Sequence, residues 1–316
     1  MNNTFLTVVI VVQNAREMHL LKSMVKQLYG VLHKNFRDYE IVVVNNSIEQ
    51  LDLAVWKTSE EALRQHIYFL QLSTSVYKNN AIVAGLDRSN GDYTIIFEFD
   101  FMDKPNLILD LYNKSQEQYD IVYCRAKGRN AGLEGILYSI FFFILQKYSD
   151  LRIDNRAHNT RIISRRALNS LLRLRENLRY MKAIYALVGY KNSVIEVEEP
   201  LLRDPSESFS ARFGTSMIAI SSFTTFLNTL LLWIFLFSVM FTSGVIFNAL
   251  KVKFTNYDVF GDFHQAVSGW TFIVIVMSVF FATTCLTLYL MSIYLSNIYN
   301  EIKQRPLYII ESTKRV

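Results

Sequence analysis

The sequence predicts an α/β domain of the nucleotide-binding, Rossmann-like type, followed by membrane-facing interfacial helices and a two-helix membrane anchor. Three observations predict it. Short β-branched runs alternate with segments whose apolar residues recur at helical spacing, the pattern of a mostly parallel sheet wrapped by helices. Those runs are continuous rather than alternating, as strands buried on both faces are. No Asp, Glu, Lys or Arg occurs between Arg212 and Lys251, or between Asp262 and Glu301. Each gap exceeds the roughly 20 residues that a membrane-spanning helix needs.

The strands come first. Phe5–Val12 (FLTVVIVV) reads as a buried parallel strand, ended by Gln13-Asn14. Glu17–Leu32 carries Leu20, Leu21, Met24, Val25, Leu28 and Val31 at helical spacing. Tyr39–Val44 is a second buried strand and runs into Asn45-Asn46-Ser47. A helix is expected at Ser59–Gln65, a short strand at Ile67–Leu70, a helix at Asn79–Asp87 and a strand at Tyr93–Phe97. The last of these ends in Glu98-Phe99-Asp100. A helix at Leu107–Gln116 and a strand at Tyr119–Cys124 follow. Gly135–Gln146 is uncharged but too short to span; it fits a core helix or a helix lying in the headgroup layer.

The anchor comes last. Spans are expected near Phe226–Leu250 and Thr271–Ile293. The division predicted is a domain over 1–205, a juxtamembrane amphipathic segment over 206–225, the anchor over 226–298 and a tail over 299–316. Arg203 and Arg212 precede the first span, and Lys303, Arg305, Lys314 and Arg315 follow the second. The positive-inside rule then puts the soluble domain and both termini in the cytoplasm, at the inner (cytoplasmic) membrane. No charge lies within either span, so nothing marks an ion pathway.

Composition agrees. Of 316 residues, 51% are hydrophobic and 19% charged, which excludes disorder and collagen. The net charge of +5 suits an anionic membrane surface or a phosphate-bearing substrate. No nucleic-acid motif appears, so no nucleic-acid partner is expected. Cys124 and Cys285, the only cysteines, fall in the soluble and spanning parts respectively, which argues against a disulfide framework.

In doubly wound sheets, ligands bind beyond the carboxyl ends of the strands. Asn45-Asn46-Ser47 and Glu98-Phe99-Asp100 both fall there. Glu98 and Asp100, two apart at a strand end, can reach one hard divalent cation if the backbone turns, with Asp103 in support. The same residues admit plainer readings. An E-x-D at a strand end is common turn chemistry, and Asn-Asn-Ser is a common β-turn. His158 has no second histidine near it, so zinc has almost no support.

The order of the motifs resembles the inverting, family 2 polyprenyl-phosphate glycosyltransferases of glycosyltransferase-A type, which include bactoprenol glucosyltransferases and dolichyl-phosphate mannose synthases. Tyr39–Ser47 resembles that family's YEIIFVDDGS. Lys78, Ala84-Gly85-Leu86-Asp87 and Gly91-Asp92 resemble its GKxxALxAGLDxAxGD. Asp100, Asp103 and Pro105 match its DxDLQDPPE, and Arg161–Arg165 resembles its FRLMSR. Gly189-Tyr190 resembles its WVGF, and Ile298–Ile309 resembles its tail after the second span. The chain departs from the pattern at Asn45, Asn46 and Asn159, where charge is lost and shape kept. It departs again at Glu98 for Asp and at Met102 for Gln.

The resemblance implies transfer of a sugar from a nucleotide diphosphate, a UDP-sugar for preference, to polyprenyl (undecaprenyl) phosphate, with inversion. It implies Mg2+ or Mn2+ on Glu98 and Asp100. It implies nucleotide-sugar contacts at Asn14, Asn45, Asn46, Ser47, Lys78, Glu98 and Phe99. Asp100, Asn159 and Arg161 become the catalytic set, and Arg161, Arg203 and Arg212 the acceptor-phosphate set. An exposed helix face is the plainer reading of Lys78, and a solvated basic face that of Arg161. A flippase and a homo-oligomer are the implied partners, and cell-surface polysaccharide glycosylation the implied setting. Two alternatives stay open: a catalytically impaired binding or scaffold subunit, suggested by the three asparagines, and a transferase acting on a lipid-linked glycan.

Overall fold

The computed structural model describes the chain except for residues 48, 50–55, 57–60, 128–132, 150–152, 175–180, 201–213, 215, 218, 221–222, 264–269, 304–305 and 316. Arg175, Arg179, Arg203, Arg212 and Arg305 therefore lie outside the described residues, as does much of the predicted juxtamembrane segment.

Strand β1 (Leu6–Val12) is buried along its whole length because β2 (Tyr39–Asn45) and β4 (Tyr93–Ile96) flank it, both parallel to it. Its side chains alternate between two cores. Leu6, Val8, Ile10 and Val12 face one layer; Val9 and Val11 face the other. Each fully buried Val, Leu or Ile contributes about 1.5–3 kcal/mol, which favours a nearly continuous apolar run at the sheet centre. The first layer is built by α1 (Ala15–Asn35) and α4 (Leu107–Ser115), with a short α2 (Glu61–Arg64) in between. The second is built by α3 (Lys78–Arg88), α6 (Arg165–Arg173) and α7 (Met181–Leu187). The helix α5 (Leu133–Tyr148) precedes these last two in the chain.

Among the described residues the sheet has eight strands, in the order β7-β5-β6-β4-β1-β2-β3-β8. Strands β3 (Ile67–Leu72), β5 (Ile121–Ala126) and β7 (Asn192–Val197) each pair parallel with a neighbour. As expected, most of the described strands run parallel, with two exceptions. Strand β6 (Ala157–Ser164) runs antiparallel between β4 and β5, and β8 (Ile310–Arg315) antiparallel along β3, so the sheet is mixed. The edge strand β8 comes from the chain's tail. Its sequence, IESTKR, has no strand pattern because it is exposed on both faces. Backbone pairing, and the Arg315 guanidinium donating to the Gln65 carbonyl at 2.6 and 3.0 Å, hold it in place.

Helix α3 lies against β1 and β2 at Gly85. A Cβ there would stand 2.3 Å from Val9 Cγ1 and 3.1 Å from Val44 Cγ2. Both neighbours are buried and stiff at χ1. Gly85→Ala would gain about 1 kcal/mol of helix propensity and lose about 1–3 kcal/mol to overpacking. The expected net result is a lower thermal midpoint; a higher one would show that α3 does not sit this close.

Two long helices follow the sheet domain, α8 (Phe226–Thr255) and α9 (Trp270–Lys303). Among the described residues one stretch, Val279–Ser296, is long and apolar enough to cross a membrane; the described apolar stretch of α8, Thr229–Ser238, is shorter. The two expected spans are thus met by one described candidate. A third core joins Phe141, Phe142 and Leu145 of α5 and Ala183 of α7 to Ala219, Ile220, Leu227 of α8 and Leu290 of α9. Helix α5 divides its faces: these side chains are buried, whereas Ile140 and Phe143 are exposed.

Candidate active site

Strand β4 ends at Ile96, and a single 3-10 turn over Phe99–Phe101 follows Glu98 at once. The turn is the backbone bend that a shared E-x-D site requires. Glu98 is fixed from below, where its amide donates to Thr160 Oγ1 at 3.1 Å. Continuing the β4/β6 register two residues past the Ile96–Arg161 pair brings Glu98 opposite Asn159. As a result the Asn159 side-chain amide donates to Glu98 Oε1 at 3.0 Å and its backbone N–H to Oε2 at 3.3 Å. Lys78, the first residue of α3, adds an ion pair to Oε1 at 2.6 Å.

Asp100 and His158 complete the group. One ligand atom each from Glu98, Asp100 and His158 lie within 4.8 Å of one another. His158 is 1% exposed, its ring edge set against Phe101. Its Nε2 lies 3.1 Å from the Glu199 carbonyl oxygen, which can only accept, so Nε2 donates that hydrogen bond and Nδ1 is left free of it.

The pKa values of the two carboxyls are shifted in opposite directions. Burial alone would raise Glu98, but the Lys78 charge and the Lys78 and Asn159 hydrogen bonds outweigh it and hold its pKa at about 2. Asp100 is raised above the ordinary carboxylate value, first by burial and then by the Glu98 charge. Lys78 is raised: burial opposes this, and the Glu98 charge overrides it. Two carboxyls pushed apart in pKa within one cluster are a mark of a functional site.

The fit to a divalent cation is good. Two carboxylates and an imidazole nitrogen converge at a sheet edge, the hard-oxygen set that Mg2+ and Mn2+ take, with one nitrogen that suits Mn2+ better. Asp103 is exposed and is not part of the group.

The remaining predicted residues fall at the same carboxyl edge with other partners. Asn14 caps α1, accepting from the Glu17 amide at 3.0 Å, while the Glu17 carboxylate returns to the Gln13 amide at 2.7 Å. Asn45 is 0% exposed and its amide donates to the Glu49 carbonyl and to Gln71 Oε1, both at 2.7 Å. Its Oδ1 accepts from the Ser47 amide. Asn46 exchanges two hydrogen bonds with the Val76 backbone, each 2.8 Å, and so ties the β2 end to the loop that enters α3. Phe99 packs against the first core layer.

Arg161 is 2% exposed. Its Nε and Nη2 donate to the carbonyls of Asn159 and His158 at 3.1 and 2.6 Å, and its guanidinium lies 3.7 Å from the Tyr185 ring centroid. Burial lowers its pKa, against the nearby Tyr185 and Glu98. It lines an open cleft with Tyr123, Asp154, Lys182 and Tyr185. The wall of that cleft is α7, the helix that also touches the third core.

The profile of Glycosyl transferase family 2 matches residues 7–172, just over half of the chain. The chain belongs to this family. The match runs from β1 through β6 into α6 and so takes in every strand end just described. Relatives similar over the whole length include an uncharacterized glycosyltransferase of Synechocystis, 25% identical over 95% of this chain and 93% of its own. Another, of Bacillus subtilis, is 24% identical over 96% and 93%. A prophage bactoprenol glucosyl transferase homolog of Escherichia coli is 25% identical over 78% and 79%. As a family 2 member the chain is a glycosyltransferase, on an α/β fold with a mixed sheet.

The sequence sets His158 beside Asn159 near the site but gives it no role there. His158 becomes a neighbour of Glu98 only through the antiparallel β4/β6 pairing, and β6 was not expected as a strand. A strand at Ala157–Ser164 running back along β4 is the signal that would have found it.

Proposed function

We propose that this protein transfers a sugar from a nucleotide diphosphate sugar, a UDP-sugar for preference, to polyprenyl phosphate at the cytoplasmic face of the membrane. The observation that carries the reading is the gathering of Glu98, Asp100 and His158 beside Lys78 at the carboxyl ends of the strands. The relatives named for bactoprenol support the lipid acceptor, and the long apolar helices support delivery of that lipid from a bilayer.

Glu98, Asp100 and His158 would hold Mg2+ or Mn2+, which supplies Lewis-acid stabilisation of the diphosphate as it leaves. Lys78 adds a cation within reach of the same diphosphate. The nucleophile is a lipid phosphate oxygen, already anionic at neutral pH, so no strong base is needed. Its attack on the anomeric carbon forms one C–O bond as the bond to the diphosphate breaks on the opposite face, which inverts the centre. Asn159 fits this chemistry: it donates to Glu98 and takes no proton. Arg161, pre-set by two carbonyls and a tyrosine face, orients the acceptor phosphate from the cleft beside α7. Arg203 and Arg212, which lie outside the described residues, precede the first predicted span in the sequence and are the further candidates for the lipid phosphate. Asn14, Asn45, Asn46, Ser47 and Phe99 shape the donor pocket; the two buried asparagines do so by fixing its loops.

For the anchor, we read both α8 and α9 as spans. At 1.5 Å per residue, 30 and 34 residues reach about 45 and 50 Å, well beyond a hydrocarbon core of roughly 30 Å. Exposed Trp233, Phe237, Met240, Phe281, Leu288 and Leu295 suit lipid contact and contact with a second copy. The predicted division at 205, 225 and 298 and the cytoplasmic termini follow from that reading. The product would then form on the cytoplasmic leaflet and require a flippase.

The test uses the full chain in detergent with undecaprenyl phosphate, a lipid-linked glycan, Mn2+ and a panel of nucleotide sugars, with mass spectrometry of the lipid fraction. The reading requires a polyprenyl phosphate gaining one sugar with inverted configuration. Preferential labelling of the glycan would move the acceptor; no labelled lipid with any donor would leave a binding subunit.

A further inference from the structure

The cluster at Glu98 holds a cation of its own. Lys78 Nζ sits 2.6 Å from Oε1, the oxygen that also accepts from Asn159 at 3.0 Å, and Oε2 accepts the Asn159 amide at 3.3 Å. Both oxygens of one prospective metal ligand are thus already supplied with donors. A divalent ion bound by the Glu98–Asp100–His158 group and an ammonium on the same carboxylate would be neighbouring like charges in a partly buried site. Their repulsion there is several-fold stronger than in water. The two occupants therefore compete.

We propose that Lys78 is a resident counter-ion which closes the cation position at Glu98 until a donor diphosphate draws the ammonium away. The proposal rests on the transferase reading above and adds an order to it: the free site resists the metal, and the nucleotide admits it. Placement supports the exchange. Lys78 opens α3 where no side chain caps the helix, and such a helix start itself attracts phosphate. The loop before it is braced, through Val76, on Asn46 at the end of β2. The ammonium thus moves from a carboxylate to a diphosphate by rotation of one flexible side chain, with the backbone in place. Asn159 stays behind on Glu98 and keeps that carboxylate aimed when the lysine leaves.

The test measures Mn2+ binding to the full chain without nucleotide, by the electron spin resonance signal of free Mn2+. Lys78→Met removes the charge and keeps the length. It should bind Mn2+ about tenfold or more tighter than the natural protein, and Mn2+ should raise its thermal midpoint by more. Lys78→Gln is a second neutral variant should Lys78→Met not fold. Lys78→Arg keeps the cation and should stay as weak as the natural protein. Asp100→Asn placed on top of Lys78→Met should remove the gain. Binding that is measurable in both proteins and no tighter in Lys78→Met overturns the counter-ion role and leaves the metal site standing. Absence of Mn2+ binding in every variant overturns the metal site and the counter-ion role together.

Discussion

Asp100→Asn abolishes sugar transfer and leaves the protein at least as stable as before. The two halves of this result come from the same geometry. Asp100 sits in the turn after β4, and its ligand oxygen is within 4.8 Å of those of Glu98 and His158. Loss of one charged ligand from a cation that stabilises a leaving diphosphate removes several kcal/mol from the transition state, a fall of about a hundredfold or more in kcat. Stability moves the other way. The folded protein holds the Asp100 pKa above its usual value, through burial and then the Glu98 charge. Its ionised form is therefore disfavoured by folding, and that cost is present at neutral pH and vanishes as pH falls below the ordinary carboxylate range. A neutral amide of the same shape does not incur it. Thermal melts at pH 7 should show an unchanged or higher midpoint, and the difference should shrink near pH 3. Retained activity with Mn2+ would remove Asp100 from the cation site; a large loss of stability would show that it has a structural partner.

Arg161→Ala is expected to fail in both respects. Its guanidinium is buried, donates to the carbonyls of His158 and Asn159 and stacks on Tyr185. Truncation strands two buried acceptors at about 1–3 kcal/mol each and opens a cavity beneath Tyr185. Because those carbonyls belong to the residues that face Glu98, the cation site loosens as well. Arg161→Lys separates the two contributions. Lysine keeps the charge but cannot donate to both carbonyls in a fixed fork while also meeting a phosphate. Its expected signature is a modest fall in thermal midpoint with a raised KM for polyprenyl phosphate and little change in KM for the nucleotide sugar. An unaltered KM for the lipid would take Arg161 out of the acceptor site and leave it as a brace for β6.

Much of this molecule was legible in its sequence for plain reasons. The runs at Leu6–Val12 and Tyr39–Asn45 are mostly apolar because neighbours cover both faces, and the buried Thr7 hydroxyl donates to Glu40 between them. The E-x-D after β4 could be read because a strand end and a turn are local features. What stayed hidden depends on pairing between distant segments. Strand β6 mixes His158, Asn159 and Arg161 with Ile162 and Ile163, so its polar residues mask a strand whose partners are β4 and β5. Strand β8 is polar and exposed, and exists because β3 offers it an unpaired edge. Asn45 and Asn46 look like donor contacts in a linear reading, since nothing local announces that Gln71 and Val76 take their amides. Lys78 and Glu98, twenty residues apart, meet because α3 starts where β4 ends.

The central claim is that a divalent ion at Glu98, Asp100 and His158 serves transfer of a sugar onto a lipid phosphate. Its most direct test follows radiolabel from a nucleotide sugar into the organic phase, with purified protein and undecaprenyl phosphate, before and after chelation. Label should enter the organic phase with Mn2+, stop with EDTA and resume when Mn2+ is restored, and His158→Ala should lower the rate at fixed metal. Label that stays in the aqueous phase with every donor, or enters the lipid at the same rate under EDTA, would contradict it.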